Sequence, residues 1–138
     1  MKILFVRHGE SVDDIEDRYG GWEDFELTNK GEEQIKVSAE KIKSLDEGFE
    51  IILTSPLKRA AKAAEIISEV LGLKIEIFEF LKERNLNGVL SGMKRNDAKL
   101  KYPELVEKHN NREYIYGSER SDDFNERVKE SLTSAQKT

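Results

Sequence analysis

The chain contains no cysteine, which excludes disulfide frameworks, thiolate zinc sites and iron–sulfur clusters together. Histidine is nearly as scarce: there are 2, His8 and His109, too few for a histidine-rich metal site, so neither metal nor cofactor is expected. Basic charge is short as well. Lys and Arg number 23 against 28 Asp and Glu, a net charge of −5, and no basic run of the kind that marks a nucleic-acid binder is visible. No apolar stretch approaches the roughly 18 residues of a membrane-spanning helix. The opening run, Met1 to Val6, is cut off by Arg7 and His8, too early for a secretory signal. The expectation is a soluble cytoplasmic protein with no nucleic-acid or membrane partner. What remains is 138 residues with 37% hydrophobic and 37% charged side chains, polar but able to build the core of one domain over residues 1–138.

The pattern of elements is that of an α/β fold. Ile3 to Val6 is continuously apolar, as a strand buried on both faces would be. Residues 12–28 carry many acidic side chains, the pair Gly20-Gly21 and Trp22, and read as a long structured loop. A helix is predicted from Asn29, with Glu32 completing a capping box, Ile35, Ala39, Ile42 and Leu45 at helical spacing, and Gly48 at its end. Ile51-Ile52-Leu53 predicts a second strand. Ser55-Pro56 then opens a helix whose apolar face runs Leu57, Ala60, Ala61, Ala64, Ile67 and Leu71 up to Gly72. Lys74 to Glu79 predicts a third strand. Alternation of this kind argues for a three-layer α/β/α arrangement with a mostly parallel sheet. Residues 83–118 read as loop and short helix broken by Pro103, and a last helix from Ser121 is expected to turn Phe124, Val128 and Leu132 inward.

In parallel sheets, ligands gather at the carboxyl ends of the strands. The first strand delivers Arg7 and His8 there, the second delivers Ser55 and Arg59, and the third leads to Glu83 and Arg84. Guanidinium groups grip phosphate oxygens through parallel hydrogen bonds. A neutral imidazole nitrogen is a nucleophile, and phosphorus held by arginines is an electrophile.

Arg7-His8-Gly9-Glu10-Ser11 after an apolar strand resembles the signature of the histidine phosphatase superfamily, the phosphoglycerate mutase-like group. The resemblance continues in order through Arg18, Gly21-Trp22, Asp24, Leu27-Thr28 and Gly31. Ser55-Pro56-Leu57 with Arg59-Ala60 follows, then Leu81 with Glu83-Arg84, Gly88 and Gly92. Tyr102-Pro103-Glu104, Asp123-Phe124 and Arg127-Val128 complete it. It implies that His8 takes the phosphoryl group, that Arg7 and Arg59 clamp the phosphate, and that Glu83 protonates the leaving oxygen and later serves as base toward water. It places Asp14, Gly20, Gly21 and Arg84 at the substrate, a small phosphorylated metabolite. Phosphatase, mutase and non-catalytic phosphate binding all remain open, with phosphatase favoured by the short stretch between Glu83 and Asp123-Phe124.

The departures matter equally. Asp14 stands where the family pattern has an Asn, and Ala63 where it has a Thr. The family's second catalytic histidine follows the last helix, beyond the point where this sequence stops at Thr138. The resemblance therefore implies a fold incomplete at its C-terminus and a weak or absent phosphatase activity for these 138 residues alone. It also implies compensation by rearranged strands, by a homo-oligomer or by a longer protein. His109, in a polar segment, is expected to be a helix-end cation, and Trp22 to meet either the substrate or the core.

Overall fold

The structure, a computed structural model, describes residues 2–135. Met1 and Gln136 to Thr138, parts of the opening run and of the polar tail, lie outside the described residues. In chain order the elements are α1 Val12–Ile15, α2 Asn29–Ser44, β1 Ile51–Thr54, α3 Lys58–Leu71, β2 Lys74–Ile77, α4 Arg95–Lys101, α5 Pro103–Asn110 and α6 Ser121–Ala135. Short 3-10 turns occupy Glu79–Leu81 and Gly88–Leu90. The chain gathers into two compact units, Met1–Val12 with Phe25–Glu79 and Asp13–Asp24 with Phe80–Thr138.

In the first unit β1 and β2 pair in parallel, from Ile51 opposite Lys74 to Thr54 opposite Ile77. Their β-branched side chains suit a pleated, half-buried surface. Helices α2 and α3 pack on one another, and the core joins Leu27, Ile35, Ala39, Ala63, Ile66 and Ile67. Ala63 thus sits where a hydroxyl would need a partner. Helix α3 ends as predicted: Gly72 adopts φ 70°, a left-handed conformation free of strain only for glycine, and its N–H donates to the Ser68 carbonyl.

The second unit has a separate core of Tyr19, Leu90, Ala98, Val106 and Ile115. Proline at the start of α5 supplies the fixed φ of a first helical turn, where its missing N–H costs no bond.

Several elements differ from the sequence-based expectation. Ile3 to Val6 form no strand and are exposed, Phe5 by 87%. A strand needs neighbours for its backbone groups, and among the described residues the sheet consists of β1 and β2 alone. The cap of α2 is Thr28 rather than Asn29, its side chain accepting the Gly31 N–H. Helix α3 begins at Lys58, after Pro56, with Leu57 as an N-cap that offers no side-chain acceptor. On α6 it is Ser131 that is buried while Leu132 is half exposed, because the Ser131 hydroxyl bonds the Phe80 carbonyl.

Candidate active site

Arg7, His8 and Arg59 all belong to the first unit. The loop carrying the first two is fastened to the start of α2. Gly9 is buried, and a Cβ added to it would lie 2.7 Å from the Gly31 Cα. One added to Gly31 would lie 2.9 Å from the Glu10 backbone nitrogen and carbonyl carbon. Only glycine at both positions allows this approach. Glu10 adds four bonds: its N–H donates to Gln34 Oε1 at 2.8 Å, and its carbonyl accepts the Thr28 N–H at 2.9 Å. Its carboxylate accepts from Thr28 Oγ1 and from Lys30 Nζ, each at 2.9 Å. The Thr28 hydroxyl therefore donates to the loop while it caps the helix.

This anchorage orients His8. Its Nδ1 lies 2.7 Å from the Gly9 carbonyl oxygen. A carbonyl only accepts, so Nδ1 is the donor, and the neutral ring carries its lone pair on Nε2. Arg59 occupies the first turn of α3 and is 2% exposed; Thr54 and Ser55 before it and Ser11 are buried as well. A guanidinium withdrawn from water must meet acceptors or an anion. Arg7 is exposed.

Asp14, Gly20, Gly21, Glu83 and Arg84 belong to the second unit. Asp14 is exposed on α1. Gly21 has φ 70°, and a Cβ there would stand 2.9 Å from Asn87 Nδ2 and 3.3 Å from Asn85 Oδ1. Next to it, Trp22 Nε1 donates to the Glu83 carbonyl at 2.7 Å. The Gly20–Trp22 loop and the Glu83–Asn87 segment are thus one assembly. Trp22 serves as an anchor of that loop. Arg84 Nη2 donates to Ser121 Oγ at 2.9 Å and to the Glu119 carbonyl at 3.4 Å, and its guanidinium lies over the Phe124 ring.

Two residues without a role in the sequence reading stand beside Glu83. Arg127 donates through Nη1 to the carbonyls of Phe80 at 2.8 Å and Lys82 at 2.6 Å, and through Nη2 to that of Glu83 at 3.3 Å. Its Nε and Nη2 grip the two carboxylate oxygens of Glu119 at 2.7 and 2.8 Å. The Arg127 hydrogen bond, the largest influence, holds the Glu119 carboxyl below its ordinary range against the opposing effect of burial. The pair carried no local sequence signal beyond the Arg127-Val128 match.

His109 is not the helix-end cation expected. It is half-buried, its Nε2 meets Asn87 Oδ1 at 2.9 Å, and it stands edge-on to Tyr19. Burial first, and the Arg95 charge second, push its pKa below the ordinary value, so the ring favours neutrality. Among the described residues no cluster of three or more His, Cys, Asp or Glu is arranged to hold a metal ion. No helix among them is long and apolar enough to cross a membrane.

A family model described as histidine phosphatase superfamily (branch 1) matches residues 3–138. A 2,3-bisphosphoglycerate-dependent phosphoglycerate mutase of Mesorhizobium japonicum is 35% identical over 105 residues, covering 74% of this chain and 50% of that protein. A Bacillus subtilis protein named uncharacterized phosphatase PhoE is 38% identical over 104 residues, 75% of this chain and 52% of its own. The chain therefore spans about half the length of these curated relatives. Among solved structures, Bacillus stearothermophilus YhfR superposes with a TM-score of 0.79 at 26% identity, covering 94% of this chain and 64% of that one. A putative alpha-ribazole-5'-P phosphatase of Escherichia coli shares the fold at a TM-score of 0.81 and 23% identity, over 96% of this chain and 65% of that one.

Proposed function

Because the chain belongs to the histidine phosphatase superfamily, we propose that it moves a phosphoryl group from a small phosphate monoester to His8 and then to water. The observation that carries this reading is the Nδ1–H bond from His8 to the Gly9 carbonyl, which leaves Nε2 as the nucleophilic nitrogen. In the first displacement Nε2 attacks phosphorus, the bond to the ester oxygen breaks, and the Glu83 carboxyl gives that oxygen its proton. In the second, the Glu83 carboxylate takes a proton from water as the water oxygen attacks phosphorus and the N–P bond breaks, releasing inorganic phosphate.

Arg7 and Arg59 neutralise the charge on the transferring group. For Arg59 the support is its burial at the start of a helix whose N-cap, Leu57, supplies no side-chain acceptor. Asp14, Gly20, Gly21 and Arg84 complete the proposal as substrate-binding residues, on the strength of the sequence motifs. The names of the relatives divide between mutase and phosphatase, and the short stretch between Glu83 and Asp123-Phe124 favours hydrolysis.

The test is a rapid acid-free quench after mixing with a phosphate ester labelled at phosphorus. Label on the protein that is stable to base, labile to acid and missing from His8→Ala supports the reading. Ester turnover that survives in His8→Ala refutes it. Phosphate binding without label or turnover would favour a non-catalytic binding role instead.

A further inference from the structure

We infer that Arg127 is a positioning residue, which with Glu119 and Trp22 fixes the backbone on both sides of Glu83 and so aims its carboxyl. This rests on the reading of Glu83 as the proton donor.

A guanidinium has five N–H donors. In Arg127 each one has an acceptor: two bonds go to the Glu119 carboxylate and the others to the carbonyls of Phe80, Lys82 and Glu83. Glu119 reaches past Glu83 as well, since its carboxylate accepts the Asn85 N–H at 3.3 Å and its own N–H donates to the Asn85 carbonyl at 2.7 Å. The backbone is thereby held before, at and after Glu83. The Trp22 indole N–H takes up the remaining side of the Glu83 carbonyl. The salt bridge that organises this is itself nearly buried, with side-chain exposures of 16% and 9%. Glu83 itself is exposed, on a backbone held from both sides. Lysine cannot replace this geometry: one nitrogen with three donors cannot bridge a carboxylate and reach three carbonyls.

The experiment uses the full 138-residue chain and its one tryptophan. The single indole N–H resonance reports the bond to Glu83. Its exchange with solvent should quicken at least tenfold in Arg127→Met and less in Arg127→Lys, which keeps the charge if the first variant fails to fold. Hydrolysis is then compared on an alkyl phosphate, whose leaving oxygen needs a proton, and on 2,4-dinitrophenyl phosphate, whose leaving group does not. The Arg127 variants should lose at least tenfold more on the alkyl ester, as Glu83→Gln does.

Unchanged indole exchange overturns the inference. So does an equal loss on both esters in the Arg127 variants while Glu83→Gln discriminates between them, because a purely structural role moves both rates alike. If Glu83→Gln itself does not discriminate, or no ester is turned over, the proton-donor reading is what falls or goes unused. The indole exchange then decides whether Arg127 holds this backbone.

Discussion

Gly9 and Gly31 meet backbone to backbone, 22 positions apart in sequence, and neither has room for a methyl group. Neither has a positive φ, so the requirement is for space and not for an unusual backbone conformation. Gly9→Ala or Gly31→Ala must therefore push the His8 loop away from α2. Overpacking of this kind costs about 1–3 kcal/mol. Urea denaturation should show the loss in either variant. A double variant should lose less than the sum, because one displacement relieves both clashes.

Thr28 performs two tasks with one hydroxyl, accepting from the Gly31 N–H and donating to the Glu10 carboxylate. Thr28→Ala removes both, with an expected cost of about 1–2 kcal/mol, toward the upper part of the range for lost caps. Thr28→Ser retains the oxygen and should recover most of it. Thermal unfolding of the three proteins side by side is the measurement, and equal melting points would show that the hydroxyl is dispensable.

The exposed run at Ile3 to Val6 gives a contrast between hydrophobic residues. Phe5 is 87% exposed and Ile35 is 2% exposed at the centre of the α2–α3 core. Phe5→Ser should change stability by no more than about 0.5 kcal/mol, as surface substitutions do. Ile35→Ala should cost about 2–5 kcal/mol, through lost transfer energy and the cavity left behind. A large loss at Phe5 in chemical denaturation would mean that the segment is covered in solution.

That run also shows where reading the sequence stopped. Periodicity located α2, α3, β1, β2 and α6, because each carries its own apolar face between identifiable ends such as Gly72. It failed at Ile3 to Val6, since consecutive apolar residues describe what a strand would bury and say nothing about whether a partner is there. It misjudged Leu132 because a serine bonded to a carbonyl, Ser131, occupies the inward position. The motifs singled out His8, Arg59 and Glu83 because those side chains differ chemically from their surroundings. The residues that hold the His8 loop and the Glu83 backbone were harder to see. Thr28, Gly31 and Glu10 act across 18 to 22 positions, and Arg127 acts on carbonyls, which every residue has.

Acid should destabilise the second unit in two separable windows. His109 has a folded pKa below its ordinary 6.5, because burial and Arg95 disfavour the imidazolium. The unfolded chain thus binds this proton first, so the contribution is complete above pH 6.5 and is lost as pH falls from there through the folded value. Glu119 has a folded pKa below its ordinary 4.5, chiefly through the Arg127 hydrogen bond. Its contribution is complete above pH 4.5 and disappears only as pH falls further. Both shifts have the same sign, yet the losses begin from different ordinary values, 6.5 for His109 and 4.5 for Glu119. Urea midpoints measured from pH 8 to pH 3 should therefore decline in two stages. Glu119→Gln should be less stable at pH 7, having lost a charged partner of Arg127, and should flatten only the lower stage. Replacing His109 with Gln, which can still donate to Asn87, should flatten only the upper one. If the Glu119 variant instead flattens the decline between pH 6.5 and 5, the Arg127 hydrogen bond is not what sets the lower stage.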